Sequence, residues 1–321
     1  MKGKIIREGD VVHIYQLSAD KGIVFYERKD FLVFYTLFSC LTRQFGITAA
    51  GLCIMLNHFH VALYNVTEAA VSAFMCLLKS MFSFEYNKRY SRSGALWPDG
   101  FGSSIKRGGK RIRTFASYLY NNPVEKKSCI AAEDYQWNFL KYSMESNPFS
   151  ARIPLNKARK QYRKAIDIVN HFASRNKPLN YNSLDLVFNC LTADEQRSLT
   201  DYIVSAYQCI DYSVFESYYN DHEQMLAAFK ASSGNEYDIK EYVGPSSYRE
   251  FKTLYRATVN MGFYGRNRTF CSMGDDAKKE LFRELARKTG MSHYSIQHYI
   301  HYWPDANDIS GKAAALEKRY R

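Results

Sequence analysis

Ile47-Thr48-Ala49-Ala50-Gly51-Leu52-Cys53-Ile54-Met55-Leu56-Asn57-His58-Phe59-His60-Val61-Ala62-Leu63-Tyr64 is the stretch on which the fold turns. Two short apolar runs, 47–55 and 59–64, have strand length and are separated by Leu56-Asn57-His58, where a turn can begin. A helical pattern lies on either side. Upstream, residues 29–45 place Phe31, Phe34, Tyr35, Phe38 and Leu41 on one stripe, with Gly46 as a stop. Downstream, residues 68–90 carry Val71, Phe74, Met75, Leu78 and Phe82 at helical spacing. Further out, Val11-Val12-His13-Ile14-Tyr15-Gln16-Leu17 reads as a strand ended by the turn-like Ala19-Asp20-Lys21-Gly22. A loop over 91–101 precedes a fourth strand at 102–106. A third helix is expected over about 110–120, with Pro123 limiting its continuation because proline has no amide donor. Strand, helix, strand, strand, helix, strand predicts an α+β fold: a ferredoxin-like antiparallel sheet with packed helices.

The tract 142–154, with Ser146-Asn147-Pro148 and Pro154, reads as a linker. Beyond it the pattern turns helical over 157–172, 192–207, 215–229 and 275–302. The chain has 321 residues, more than the ~100–200 usual for one domain, so two are expected: residues 1–148, and a mainly α-helical C-terminal domain of residues 149–321. A hydrophobic content of 46% excludes disorder of the whole chain. No run of ~18 apolar residues suggests a membrane span, and the first residues lack the apolar stretch of a secretory signal. Seven scattered cysteines without a CxxC argue against a zinc ribbon or a disulfide scaffold and suit a reducing, cytoplasmic setting. A net charge of +12 beside 16% aromatic residues hints at nucleic acid, since cations meet phosphates and rings stack on bases. Composition alone does not decide the point.

Two constellations carry chemistry. In a strand, residues two apart share a face, so His58 and His60 can reach one point, and neutral imidazole ligates divalent metals. Asn122 follows Tyr118 by four, one helical turn on and on nearly the same face. A tyrosine hydroxyl can attack phosphorus and form a covalent phosphotyrosine. Its free pKa of ~10 makes ionisation at pH 7 cost ~4 kcal/mol, so the surroundings must assist. Read singly, the histidines are equally two unrelated residues, and Tyr118 is one of 26 tyrosines.

Taken together they resemble a known family. Asn57-His58-Phe59-His60 after an apolar strand, Leu96-Trp97 before Phe101-Gly102, Tyr118-Leu119-Tyr120-Asn121-Asn122-Pro123-Val124, and Asp134-Tyr135-Gln136-Trp137-Asn138 are similar to the single-tyrosine HUH transposases of the IS200/IS605 type, and within them to the REP-associated branch. The resemblance spans residues 11–142. It implies that His58, His60 and Asn122 hold a divalent metal, Mg²⁺ or Mn²⁺, and that Tyr118 is the nucleophile. It implies cleavage and strand transfer of single-stranded DNA with hairpin or palindromic ends, through a 5′-phosphotyrosine intermediate, by a homodimer or monomer. Tyr120 is the alternative nucleophile; it falls about 200° round the helix from Tyr118, so the two cannot both face the histidines. Two positions depart from the family: Leu56 where proline is usual, and Glu125 where a basic residue commonly follows the valine. Neither removes a reacting group.

Lys106, Arg107, Lys110, Arg111 and Arg113 gather five cations without an acid just before the nucleophile helix, with Gly108-Gly109 allowing close backbone approach to a phosphate, and read as DNA-binding. Lys157-Ala158-Arg159-Lys160-Gln161-Tyr162-Arg163-Lys164 opens the second region as a DNA contact or a plain solvated face. Ala286, Gly290 and Ile296 have the spacing of a helix-turn-helix over 275–302, whose exposed side would offer Ser292, His293, Ser295, Gln297, His298 and His301. Three other readings stand beside the transposase: a domesticated, non-mobile enzyme acting on dispersed palindromes, a non-catalytic helix-turn-helix regulator that binds duplex DNA, and a metal-dependent hydrolase. The last is disfavoured because no acidic ligand accompanies the histidines.

Overall fold

The computed structural model describes residues 5–232, 248–263 and 269–303. Its first part runs β1 (Val11–Leu17), α1 (Arg28–Phe45), β2 (Thr48–Ile54), β3 (His58–Tyr64), α2 (Glu68–Tyr90), β4 (Gly102–Lys106) and α3 (Gly109–Glu125). The strands form one sheet in the order β2-β3-β1-β4 with every neighbouring pair antiparallel, as the element order predicts for a ferredoxin-like unit. His58 opens β3 instead of lying in the turn, because its carbonyl accepts the Met55 amide at 2.8 Å and closes the hairpin.

Alternation along the strands sorts side chains onto two faces. Val12, Ile14, Phe59, Val61 and Leu63 join Phe34, Phe38, Phe74 and Phe82 of α1 and α2 in one core. Cys53, Ala62 and Val11 join Ile112, Phe115 and Tyr118 of α3 in another. The start of α1 is fixed by Asp30, which is fully buried and accepts the Tyr26 and Glu27 amides together with the Tyr90 and Tyr181 hydroxyls. Gly46, at φ 61°, ends that helix in the left-handed conformation that glycine adopts without strain.

Helix α3 differs from expectation at its end. It continues through Pro123 to Glu125, and the Lys126 amide bonds the Asn122 carbonyl at 3.1 Å. Proline forfeits one hydrogen bond there, and the last turns are tied to their surroundings by side chains: Asn138 donates to the Tyr120 carbonyl at 3.1 Å, and Asn121 donates to the Phe229 carbonyl at 2.7 Å. The Asp134–Asn138 block serves the same end. The Tyr135 hydroxyl donates to the Ile54 carbonyl, and Trp137 stacks on Phe31 at 4.5 Å.

The second part is helical: α4 (Lys160–Ala173), α5 (Tyr181–Phe188), α6 (Ala193–Ala206), α7 (Ser213–Glu216), α8 (His222–Ser232), α9 (Tyr248–Asn260), α10 (Asp275–Thr289) and α11 (His293–Ile300). The single helix expected over 215–229 is instead the pair α7 and α8, and α5 and α9 were not expected. Helix α5 is only eight residues long, so its stripe of Tyr181, Leu184, Val187 and Phe188 is too brief to stand out as periodic.

The tract read as a linker is held against α6. Asp201 accepts from the Tyr142 hydroxyl, the Phe149 amide and the Ser150 hydroxyl. Across the same boundary the Tyr35 hydroxyl donates to the Val204 carbonyl and Ser39 donates to the Tyr207 carbonyl, so one apolar core runs from the sheet into the helices. The Asp211 amide bonds the Ala49 carbonyl at 2.8 Å, covering part of the β2 edge.

Candidate active site

His58 and His60 stand on the α3 face of β3, with ring centroids 5.0 Å apart, and both are buried. Asn122, also buried, reaches them from α3, its amide nitrogen 3.2 Å from His60 Nε2. The Tyr118 ring lies one turn back on α3, 5.5 Å from that of His60. The four residues that spacing singled out therefore meet at one place. Tyr120 does not join them. Its ring packs on Phe215 and Phe229 on another side of α3, and burial raises its pKa far above the ordinary phenol range.

A third histidine completes the cluster. His13, fully buried on β1, lies with Nε2 3.2 Å from His60 Nδ1 and its ring 6.1 Å from that of Tyr118. The register sets Ala62 opposite His13 and Tyr15 opposite His60, so the two imidazoles are diagonal cross-strand neighbours. Sequence reading missed it because the two residues meet only once β1 pairs with β3. The usable signal was the alternation that puts Val11, His13 and Tyr15 on one face of β1.

The hydrogen bonds assign the protons. Asn57 donates from Nδ2 to the Lys21 carbonyl at 2.8 Å, which turns its Oδ1 toward His58 Nδ1, also at 2.8 Å. His58 thus carries its proton on Nδ1 and leaves a lone pair on Nε2. In the orientation shown, Asn122 donates to His60 Nε2, His60 donates from Nδ1 to His13 Nε2, and His13 Nδ1 faces Ser104 Oγ at 3.5 Å. Burial, then the positive charge of Lys126, holds the His60 pKa down to about 3. Burial first, then neighbouring His60 and Lys126, lowers that of His58 well below the usual imidazole range, with Asn122 opposing weakly. For His13 burial again dominates, helped by His60 and Lys106. All three rings are neutral at pH 7, the form that ligates metal.

Two buried polar atoms have no hydrogen-bonding partner at this place: His58 Nε2 and Asn122 Oδ1. A lone pair and an amide oxygen left unpaired in a dry site are costly unless something occupies the space between them. A divalent cation with mixed nitrogen and oxygen ligation fits that donor set.

Residues 12–122 match the protein family described as IS200-like transposase. That segment, about a third of the chain, is similar to the IS200-like transposases. Among solved structures, a REP-associated tyrosine transposase bound to a REP hairpin is similar at 12% identity, with a TM-score of 0.38, over 44% of this chain and 83% of the other. No curated protein sequence matches significantly.

Near the proposed site the basic stretch divides. Arg107 makes a bidentate pair with Asp10 at 2.8 and 2.6 Å, so the acid missing from the local sequence is supplied from the approach to β1. Lys106 lies over the Phe115 ring, and Arg113 donates to the Tyr218 carbonyl at 3.3 Å. Lys110, Arg111 and Arg113 are exposed on the first turns of α3. Arg159 pairs with Glu195.

The C-terminal pair α10 and α11 has the expected turn at Gly290, φ 62°. Its expected reading face is divided: Ser292 is exposed and His293 half-buried, whereas Ser295, Gln297 and His298 are buried and His301 bonds Asp20 and the Ile23 carbonyl. The later part of helix α11 is turned toward the loop after β1, and its N-terminal end stays open to solvent. No described helix is long and apolar enough to cross a membrane.

Proposed function

We propose that the chain is a metal-dependent transposase that cleaves and rejoins single-stranded DNA through a 5′-phosphotyrosine on Tyr118. The observation that carries the reading is the convergence of the unpartnered His58 Nε2 and Asn122 Oδ1 with His60 beside the Tyr118 ring. His58, His60 and Asn122 would hold Mg²⁺ or Mn²⁺. Asn122 would exchange its hydrogen bond to His60 for coordination through Oδ1. When bound, the ion polarises the scissile phosphate and offsets charge that develops on it. Tyr118 Oη then forms a bond to phosphorus as the bond to the departing 3′ oxygen breaks. A 3′-hydroxyl from a second strand reverses the exchange. The number of phosphoester bonds stays constant, so no external energy source is required.

His13 and Asn57 hold the two metal-binding rings in the tautomers described, and the buried setting keeps water from competing for the phosphotyrosine. Exposed Lys110, Arg111 and Arg113 at the start of the nucleophile helix would contact the strand's phosphates, with Lys106 nearby and Arg107 reserved for Asp10. The family resemblance favours hairpin or palindromic ends as the substrate.

The test incubates the purified chain with labelled single-stranded hairpin DNA from its own locus and Mg²⁺ or Mn²⁺. A covalent protein–DNA adduct is expected, absent with Tyr118→Phe and retained with Tyr120→Phe. An adduct that survives Tyr118→Phe and disappears with Tyr120→Phe would move the nucleophile to Tyr120.

A further inference from the structure

The turn between β1 and α1 is gripped from two sides. On one side His301, just past α11, contacts Asp20 Oδ2 through Nδ1 at 2.7 Å and the Ile23 carbonyl through Nε2 at 2.6 Å. The His298 carbonyl accepts the Ile23 amide at 3.0 Å. Burial works against ionisation of Asp20, but the hydrogen bond from His301 and its charge prevail and take the carboxyl down to about 2. Gly22 is what lets the ring in: a Cβ there would stand 2.5 Å from the His301 ring.

On the other side the same turn meets the candidate metal site. The Lys21 carbonyl accepts from Asn57 Nδ2 at 2.8 Å, and the Asn57 carbonyl accepts the Ser18 amide at 2.9 Å. Asn57 Oδ1 then accepts the hydrogen bond from His58 Nδ1. Lys21 itself has φ 59°, a left-handed conformation that a lysine does not hold without support, so the direction of its carbonyl depends on what surrounds it. The clamp lies on both sides of that residue, at positions 20 and 23.

We infer that His301 is a positioning residue for the candidate metal site: by clamping residues 20–23 it fixes the Lys21 carbonyl, and through Asn57 the His58 ring. This rests on the reading of His58 as a metal ligand. It gives the helical C-terminal part a role at the active site.

The experiment measures Mn²⁺ binding to the full-length chain by the electron paramagnetic resonance of the free ion, without DNA. Removing residues that orient a metal ligand costs about 10–100-fold in affinity. Asn57→Ala should fall in that range and His301→Ala near its lower end, about tenfold. Asp20→Asn, which keeps the turn's shape, should weaken binding in the same direction and serves if His301→Ala folds poorly. Because His301 acts through Asn57, adding His301→Ala to Asn57→Ala should change affinity by less than about twofold, a non-additivity that general destabilisation does not produce. Wild-type affinity in both His301→Ala and Asp20→Asn, or full additivity with Asn57→Ala, overturns the inference. Undiminished Mn²⁺ binding by His58→Ala would instead remove the reading beneath it.

Discussion

Imidazoles held neutral in the dry site tie folding to pH. An unfolded histidine takes its proton near pH ~6.5, whereas folded His60 does so only at about 3. Between those values the unfolded chain binds more protons, so the folded state is favoured less as pH falls. His13 and His58 are shifted in the same direction. Without added metal, stability should therefore be level above about pH 6.5 and decline below it, by up to about 1.4 kcal/mol per pH unit for each ring kept neutral. Denaturant unfolding from pH 7 to pH 4 measures this, and His13→Phe should flatten the decline by one group. An unchanged slope in that variant would mean that His13 is not kept neutral in the fold. At this scale His58, His60, Tyr118 and Asn122 were legible because strand and helix periods placed each pair on one face. His13 was not, since its partner lies across a strand pairing that local spacing does not encode. The engagement of Arg107 by Asp10 was hidden for the same reason.

Among the elements, α1 depends most on a single side chain. The buried Asp30 carboxylate satisfies two amides at the helix start and two tyrosine hydroxyls, one from α2 and one from α5. Asp30→Ala takes an acceptor from four donors, most of them buried, and should cost about 3 kcal/mol or more. The midpoint of denaturant unfolding should fall while the slope stays constant; a loss below about 1 kcal/mol would show that water or other groups replace the carboxylate. The strands and the first two helices were readable because their apolar period persists over several turns or alternations. The end of α3 was not, because the groups that tie down its last turns, Asn138 and Phe229, lie outside the local sequence. For α11 periodicity revealed the helix but not the neighbour, so Ser295, Gln297 and His298, read as open to DNA, are buried, while Ser292 is exposed as expected.

For the whole molecule, composition pointed to two domains, and the tract around Pro148 looked like the place to cut. The packing makes that cut costly. Tyr35 and Ser39 of α1 rely on carbonyls of α6 and the residue after it, and Asp201 holds the intended linker. A chain ending after Phe149 would expose the buried face of α1 and leave Asp30 without the Tyr181 hydroxyl. We expect the full-length protein to unfold in one transition, and residues 1–149 alone to lack a sharp thermal transition by circular dichroism. A fragment that melts cooperatively near the parent temperature would show that the α+β unit stands by itself.

Gly22 and His301, nearly at opposite ends of the described chain, occupy what amounts to a single space. The ring is pinned by two hydrogen bonds and cannot swing aside cheaply, so a side chain at 22 is incompatible with histidine at 301. The two positions should be inherited as a pair: relatives that keep the histidine keep the glycine, and those that lose the C-terminal helices are released to carry any residue that fits the turn. Covariation between these two positions would record the coupling of the C-terminal helices to the turn without a single variant being made.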